Sequence, residues 1–201
     1  MIAIIDYGMG NLASVSNALN KLGYETVISD DPEKILGAER VILPGVGAFE
    51  DAIRNLRQRG LDKAINEVLR QDKPLLGICL GMQLMMSESE ENGLHQGLDI
   101  VPGRVVKFQL PAGYKVPHMG WNSITPGVGS RLFAGVAPEA YFYFVHSYYV
   151  APEDETFIAA RCNYGADFTC AIERGRLFAT QFHPEKSGTI GLQVLKNFGE
   201  I

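Results

Sequence analysis

The stretch Leu75–Met85, "LLGICLGMQLM", limits what this chain can fold into more than any other. It opens as an apolar strand and closes as an apolar helix, with Gly77-Ile78-Cys79-Leu80-Gly81 as the corner between them. A strand that becomes a helix within about one residue forces the central residue into strained backbone geometry. Glycines two positions to either side remove the Cβ atoms that would meet neighbouring backbone. The corner lifts Cys79 out of the sheet and sets it at a helix start, where the helix dipole favours negative charge. The amide of Leu80 would then face any carbonyl the sulfur attacks. Taken alone, the pentapeptide also fits a buried cysteine at a junction that merely contains glycine.

The text before this corner alternates strand and helix. "MIAIID" reads as a buried strand, and "NLASVSNALNKLG" as a helix with Leu12, Val15, Leu19 and Leu22 on one stripe and Gly23 as its stop. "YETVIS" and "RVILPG" are strands, the latter expected to break at Pro44 and Gly45; "AFEDAIRNLRQRG" and "LDKAINEVLRQ" are helices. "KPLLGIC" is a fourth strand, and the helix leaving it is expected to run through "LGMQLMMSES". Such alternation predicts a three-layer α/β fold, a mostly parallel sheet with helices on both faces and ligands bound beyond the carboxyl ends of its strands.

The second half reads as close-spaced strands: "RVVKFQL", "WNSITP", "AYFYFVHSYYV", "TFIAARC", "FTCAIERG" and "RLFATQF". They predict antiparallel additions to the sheet or a second small sheet. "SGTIGLQVLKNF" closes the chain as a helix, with Ser187 placed to cap it and Ile190, Val194, Leu195 and Phe198 facing inward. Residues 88–117 read as the least regular stretch. With 201 residues and no linker or repeat, one domain spanning 1–201 is expected.

A net charge of -5 without any Lys/Arg-rich stretch argues against nucleic acid as a partner. No apolar run reaches the roughly 18 residues that span a bilayer. "MIAIIDYGMG" lacks a basic segment and meets Asp6 at once, so it does not read as a secretion signal, and a reducing cytoplasm is the expected home. Three cysteines, Cys79, Cys162 and Cys170, form no CxxC pair and cannot all be bridged. Cys162 and Cys170 fit small core residues. No His, Cys, Asp and Glu grouping has metal-ligand spacing, so neither a metal nor another cofactor is expected.

A thiol nucleophile needs a base, and the base an orienting group. His183 stands in "QFHPEKS" at a strand end, where Pro184 stiffens the turn and Glu185 lies close enough to hold one ring nitrogen. This gives a candidate Cys79–His183–Glu185 triad. His146, inside a strand, fits a structural residue or a pocket wall; His118 and His95 fall in loop text. The loop "ILPGVGAF" follows a strand and opens a helix, so it shares the rim with Cys79, and Val46 or Gly47 could supply a second oxyanion donor beside Leu80. It lacks the lysine of a phosphate-binding loop. "GMGNL" only partly matches a dinucleotide fingerprint.

Together, "GICLGMQ", "PGVGAF" and "QFHPEKS" resemble the class I, triad-type glutamine amidotransferases; "YGMGNL", "PHMGWN" and "FVHSYY" resemble within them the glutaminase subunits of imidazole glycerol phosphate synthases, from histidine biosynthesis. The resemblance runs essentially end to end. It implies that Cys79 attacks the side-chain amide of L-glutamine, that His183 protonates the departing ammonia, and that water then frees glutamate from a thioester. It also implies that Gln83 holds the substrate, that Glu91 meets its amino group, and that Gly47 with the Ser147–Tyr148 backbone completes the cradle. The partner implied is a (β/α)8-barrel cyclase subunit that receives the ammonia, with Asn11, Trp121, Tyr143 and Lys186 at or near the interface. Trp121, in a loop beside glycine and asparagine, suits an interface anchor, with a core tryptophan as the alternative. Glutaminase subunits feeding anthranilate, GMP or pyridoxal phosphate synthesis, a cysteine hydrolase, and a non-catalytic interaction subunit remain open at this point.

Overall fold

Residues 1–201 are described by a computed structural model. The first half comprises β1 (Ile2–Ile5), α1 (Leu12–Lys21), β2 (Thr26–Ser29), α2 (Pro32–Gly37), β3 (Arg40–Gly45), α3 (Phe49–Gln58), α4 (Leu61–Arg70), β4 (Leu75–Cys79) and α5 (Leu80–Leu84). The four strands are parallel, in the order β2-β1-β3-β4. β1 and β4 are buried along their whole length, as strands covered on both faces must be. β3 is not broken at Pro44. It continues to Gly45, with Pro44 opposite Ile78 and Gly45 opposite Cys79, because a missing N–H near a strand end removes one donor without ending the pairing. α2 was not anticipated, although its signals are plain: Asp31 accepts from Glu33 N at 2.9 Å and Pro32 fills the first turn.

The second half comprises β5 (Met86–Ser89), β6 (His95–Gln96), β7 (Val101–Lys107), β8 (His118–Pro126), β9 (Tyr141–His146), β10 (Tyr148–Pro152), β11 (Ile158–Asn163), β12 (Asp167–Arg174), β13 (Leu177–Thr180) and α6 (Gly188–Glu200). β13 lies parallel to β4, and β12, β10 and β7 extend the sheet antiparallel beyond it. β5 runs parallel to β7, with β6 at the far edge. β11 pairs β12 and β8, and β8 pairs β9. The α/β architecture read from the sequence is therefore present, with the antiparallel strands as additions to the main sheet.

Three expectations fail locally. The helix after Cys79 ends at Leu84, because Met86–Ser89 pairs with β7 and tertiary pairing overrides helical periodicity. "AYFYFVHSYYV" is two strands with a corner at Ser147, which places His146 at the end of β9. His118 and His95 belong to β8 and β6 rather than loops, while residues 88–117 hold loops as expected, interrupted by the end of β5, β6 and β7.

The period-2 alternation of β1 divides the core. Ala3 and Ile5 pack with Ile35, Leu56, Ile65 and Val68 of α2, α3 and α4. Ile2 and Ile4 face the opposite side, with Val15 and Leu19 of α1 and Val194, Leu195 and Phe198 of α6. Ile190 is only partly buried there, while Cys162 and Cys170 are buried within the same cluster. No helix is long and apolar enough to cross a membrane.

Candidate active site

Cys79 adopts φ 55° and ψ −110°, a conformation that L-residues other than glycine rarely hold. The flanking glycines are sterically required. A Cβ on Gly77 would lie 2.9 Å from the Gly81 carbonyl carbon and the Met82 nitrogen, and one on Gly81 would fall on the Leu43 carbonyl oxygen. The register of β3 on β4 places Gly45 opposite Cys79, so the Val46–Gly47 loop leaves the sheet beside the thiol. Gly47 has φ 102°, which suits glycine alone.

β13 brings the base. Its pairing sets Thr180 opposite Ile78, and the chain then carries His183 to the same rim, held by a 3.0 Å bond from its N–H to the Tyr143 carbonyl. Pro184–Lys186 forms a single 3₁₀ turn, which folds Glu185 back so that His183 Nδ1 donates to its Oε1 at 2.8 Å. Both side chains are buried, at 2% and 1% exposure. With Nδ1 committed as donor, Nε2 faces the thiol side and has no well-aligned partner; Glu185 Oε2 has none either. Burial disfavours charge on this ring. The neighbouring Cys79 sulfur and the Glu185 carboxylate outweigh it and push the His183 pKa up to about 10. Such a ring can take the thiol proton.

A cleft of about 320 Å3 opens over the sulfur. Cys79, Leu80, Gln83 and His183 line it from β4, α5 and the turn after β13, Val46 and Gly47 from the loop after β3. Glu91, His146, Ser147 and Tyr148 form the facing wall, and Glu185 sits behind His183. The residues expected to form the triad and to hold substrate are thus brought together. Gln83 Nε2 donates to the Tyr148 carbonyl and to Gln181 Oε1, each at 3.1 Å. Glu91 Oε2 accepts the Phe49 amide at 2.8 Å, capping α3, whose own cap position is Ala48.

The expected partner-facing residues do not line the cleft itself. Trp121 is 55% exposed, which rules out the core alternative. It stands edge-on to the half-buried Tyr143 ring at 6.2 Å, and Tyr143 lies 6.5 Å from the His183 ring. Lys186 is exposed and Asn11 half-buried at the start of α1. Met119 and Val46 add exposed apolar surface. Ser187 does not cap α6: its hydroxyl donates to the His183 carbonyl and accepts the Tyr143 amide at 3.0 Å, fixing the base's turn instead.

Two residues escaped the sequence reading. Gln181 Nε2 reaches Cys79 Sγ at 3.8 Å, and Tyr7 buries an unpartnered hydroxyl against Gly45. Burial, with the Cys79 charge second, raises the Tyr7 pKa. Their only signals were a polar residue two before His183 and an aromatic at a strand end.

The family model "Glutamine amidotransferase class-I" matches residues 3–200. Imidazole glycerol phosphate synthase subunit HisH of Moorella thermoacetica is 56% identical over 200 residues, covering 100% of this chain and 94% of the relative. The protein of the same name from Geobacter sulfurreducens is 52% identical over 207 residues, covering 100% and 98%. A solved glutamine amidotransferase superposes with a TM-score of 0.76 at 18% identity, covering 99% of this chain and 100% of that one, which speaks to fold alone. With the family model matching almost its whole length, the chain belongs to the class I glutamine amidotransferases.

Proposed function

We propose that residues 1–201 act as one glutaminase domain, the ammonia-producing subunit of an imidazole glycerol phosphate synthase in cytoplasmic histidine biosynthesis. The observation that carries this reading is the meeting of Cys79 and the Glu185-held His183 in one cleft, in a chain 56% identical to a subunit of that synthase. His183 Nε2 takes the thiol proton, and the sulfur attacks the carboxamide carbon of glutamine. The oxyanion meets the amides of Leu80 and of Val46 or Gly47, donors that act only where charge develops. Collapse breaks the C–N bond as His183 returns its proton to the leaving nitrogen, and ammonia departs. A water molecule, deprotonated by the same ring, then hydrolyses the thioester to glutamate and restores the thiol.

Ammonia released into neutral water becomes ammonium and is lost as a nucleophile. A cyclase docked on Trp121, Tyr143, Lys186 and Asn11, with Tyr143 beside the His183 ring, would take ammonia directly. Cys79→Ala tests the assignment. In the assembled complex it should abolish glutamine-driven product formation and leave ammonia-driven formation intact. Retained glutamine turnover in that variant would remove the thiol from the chemistry.

A further inference from the structure

Two buried histidines take no part in the chemistry above. The β8–β9 register sets His118 directly opposite His146, at 3% and 6% exposure. Phe108, Phe144 and Phe168 surround the pair, and Tyr164 stacks on His118 at 4.0 Å. A phenylalanine would fill either place; what imidazole adds is hydrogen bonding in a fixed direction.

That direction can be worked out atom by atom. The Tyr148 carbonyl only accepts, so His146 Nδ1 carries the hydrogen of their 2.8 Å bond. His146 Nε2 is then a lone pair, and His118 Nδ1 donates to it at 2.9 Å. This leaves His118 Nε2 to accept from the Asn122 amide at 3.3 Å. The same Tyr148 carbonyl takes the Gln83 amide from the other side, and Gln83 continues to Gln181 and the sulfur of Cys79. An unbroken chain of donors and acceptors therefore joins Asn122, next to the exposed Trp121, to the wall of the glutamine cleft.

We propose that His118 and His146 are positioning residues for glutamine: locked in single tautomers, they hold the Tyr148 carbonyl from behind, so that the Ser147–Tyr148 backbone and Gln83 keep the shape that receives the substrate. Neither has a role at the reacting atoms; His146 also lines the cleft, and His118 does not. Protonating either ring would break the chain, and burial disfavours that charge. The role rests on the glutaminase reading.

The test uses the chain assembled with its cyclase, in wild type, His146→Phe and His146→Asn. Cys79 is probed with a glutamine-analogue electrophile, which needs the substrate wall, and with iodoacetamide, which does not. His146→Phe should raise the KM for glutamine and slow analogue labelling about tenfold, the worth of one buried hydrogen bond. Its kcat should stay within about twofold and its iodoacetamide labelling should not change. His146→Asn keeps a donor toward Tyr148 and should restore most of the loss. Should His146→Phe lose the fold, His118→Phe, which preserves the stack on Phe144 and Tyr164, is read in the same way. Unchanged KM and analogue labelling would overturn the proposal, as would an equal fall in both labels. A wild-type complex that fails to hydrolyse glutamine would instead retire the glutaminase reading itself.

Discussion

Cys79 brings its largely buried sulfur to the floor of the cleft at the cost of backbone strain, since φ 55° on a residue bearing a Cβ costs about 1–3 kcal/mol. Glycine at this position would relieve it, offset by about 1 kcal/mol of added freedom in the unfolded chain. Cys79→Gly should therefore match or exceed the urea midpoint of Cys79→Ala, which keeps the strain; both lack glutaminase activity. The opposite order of midpoints would show a relaxed corner. This corner was legible in the sequence because Gly77 and Gly81 record a steric requirement directly, one met here by the Leu43 carbonyl and the Met82 nitrogen. Gln181 and Tyr7 were not, because each matters only through atoms that distant strands deliver.

At the scale of elements, the β8–β9 pair carries two imidazoles whose pKa values burial pushes down, His118 to about 4 and His146 to about 3. The unfolded chain protonates both near pH 6.5, whereas the folded chain does not. Between about pH 6.5 and 4 the unfolded state thus binds more protons, and stability falls as pH falls, with a limiting slope of about 1.4 kcal/mol per pH unit for each ring. His183 has the reverse sign: its raised pKa contributes stability that is complete below about pH 6.5 and lost as pH rises through about 10. Denaturation of His118→Phe across pH 4–7 should show a shallower decline than wild type; an identical slope would mean that the ring is already charged in the fold. The sequence offered no hint of this pairing. His118 looked like loop text, and only the register that sets it against His146 gives it a role. For a like reason α5 was overextended: the apolar run through Met85 and Met86 fits either period, and β7 decides.

For the whole molecule, alternation in the first half was enough to give a parallel sheet with helices on both faces, since each strand–helix pair is local. The order of strands beyond β4 was not readable, because pairing of β13 with β4 spans about a hundred residues. Docking belongs to this scale too. Trp121 is exposed and stands edge-on to Tyr143, whose ring lies 6.5 Å from that of His183, so binding at Trp121 has a two-step route to the base. The Val46–Gly47 turn beyond β3 gives a further reason for dependence on a partner, because one oxyanion donor lies on it. Glutamine turnover by the chain alone should rise when the cyclase and its nucleotide ligand are added, whereas equal rates would remove the partner from control. Trp121→Ala should weaken assembly about 30-fold, as for an anchor worth about 2 kcal/mol, measured by titration calorimetry.

The slot between β4 and β12 is filled by β13, which follows every other strand in chain order. Until it pairs, the thiol corner lacks the imidazole of His183 and β4 keeps an open apolar edge. Cys79 therefore gains its base only once β13 has paired with β4, and the chain can turn over glutamine only from that step of folding onward.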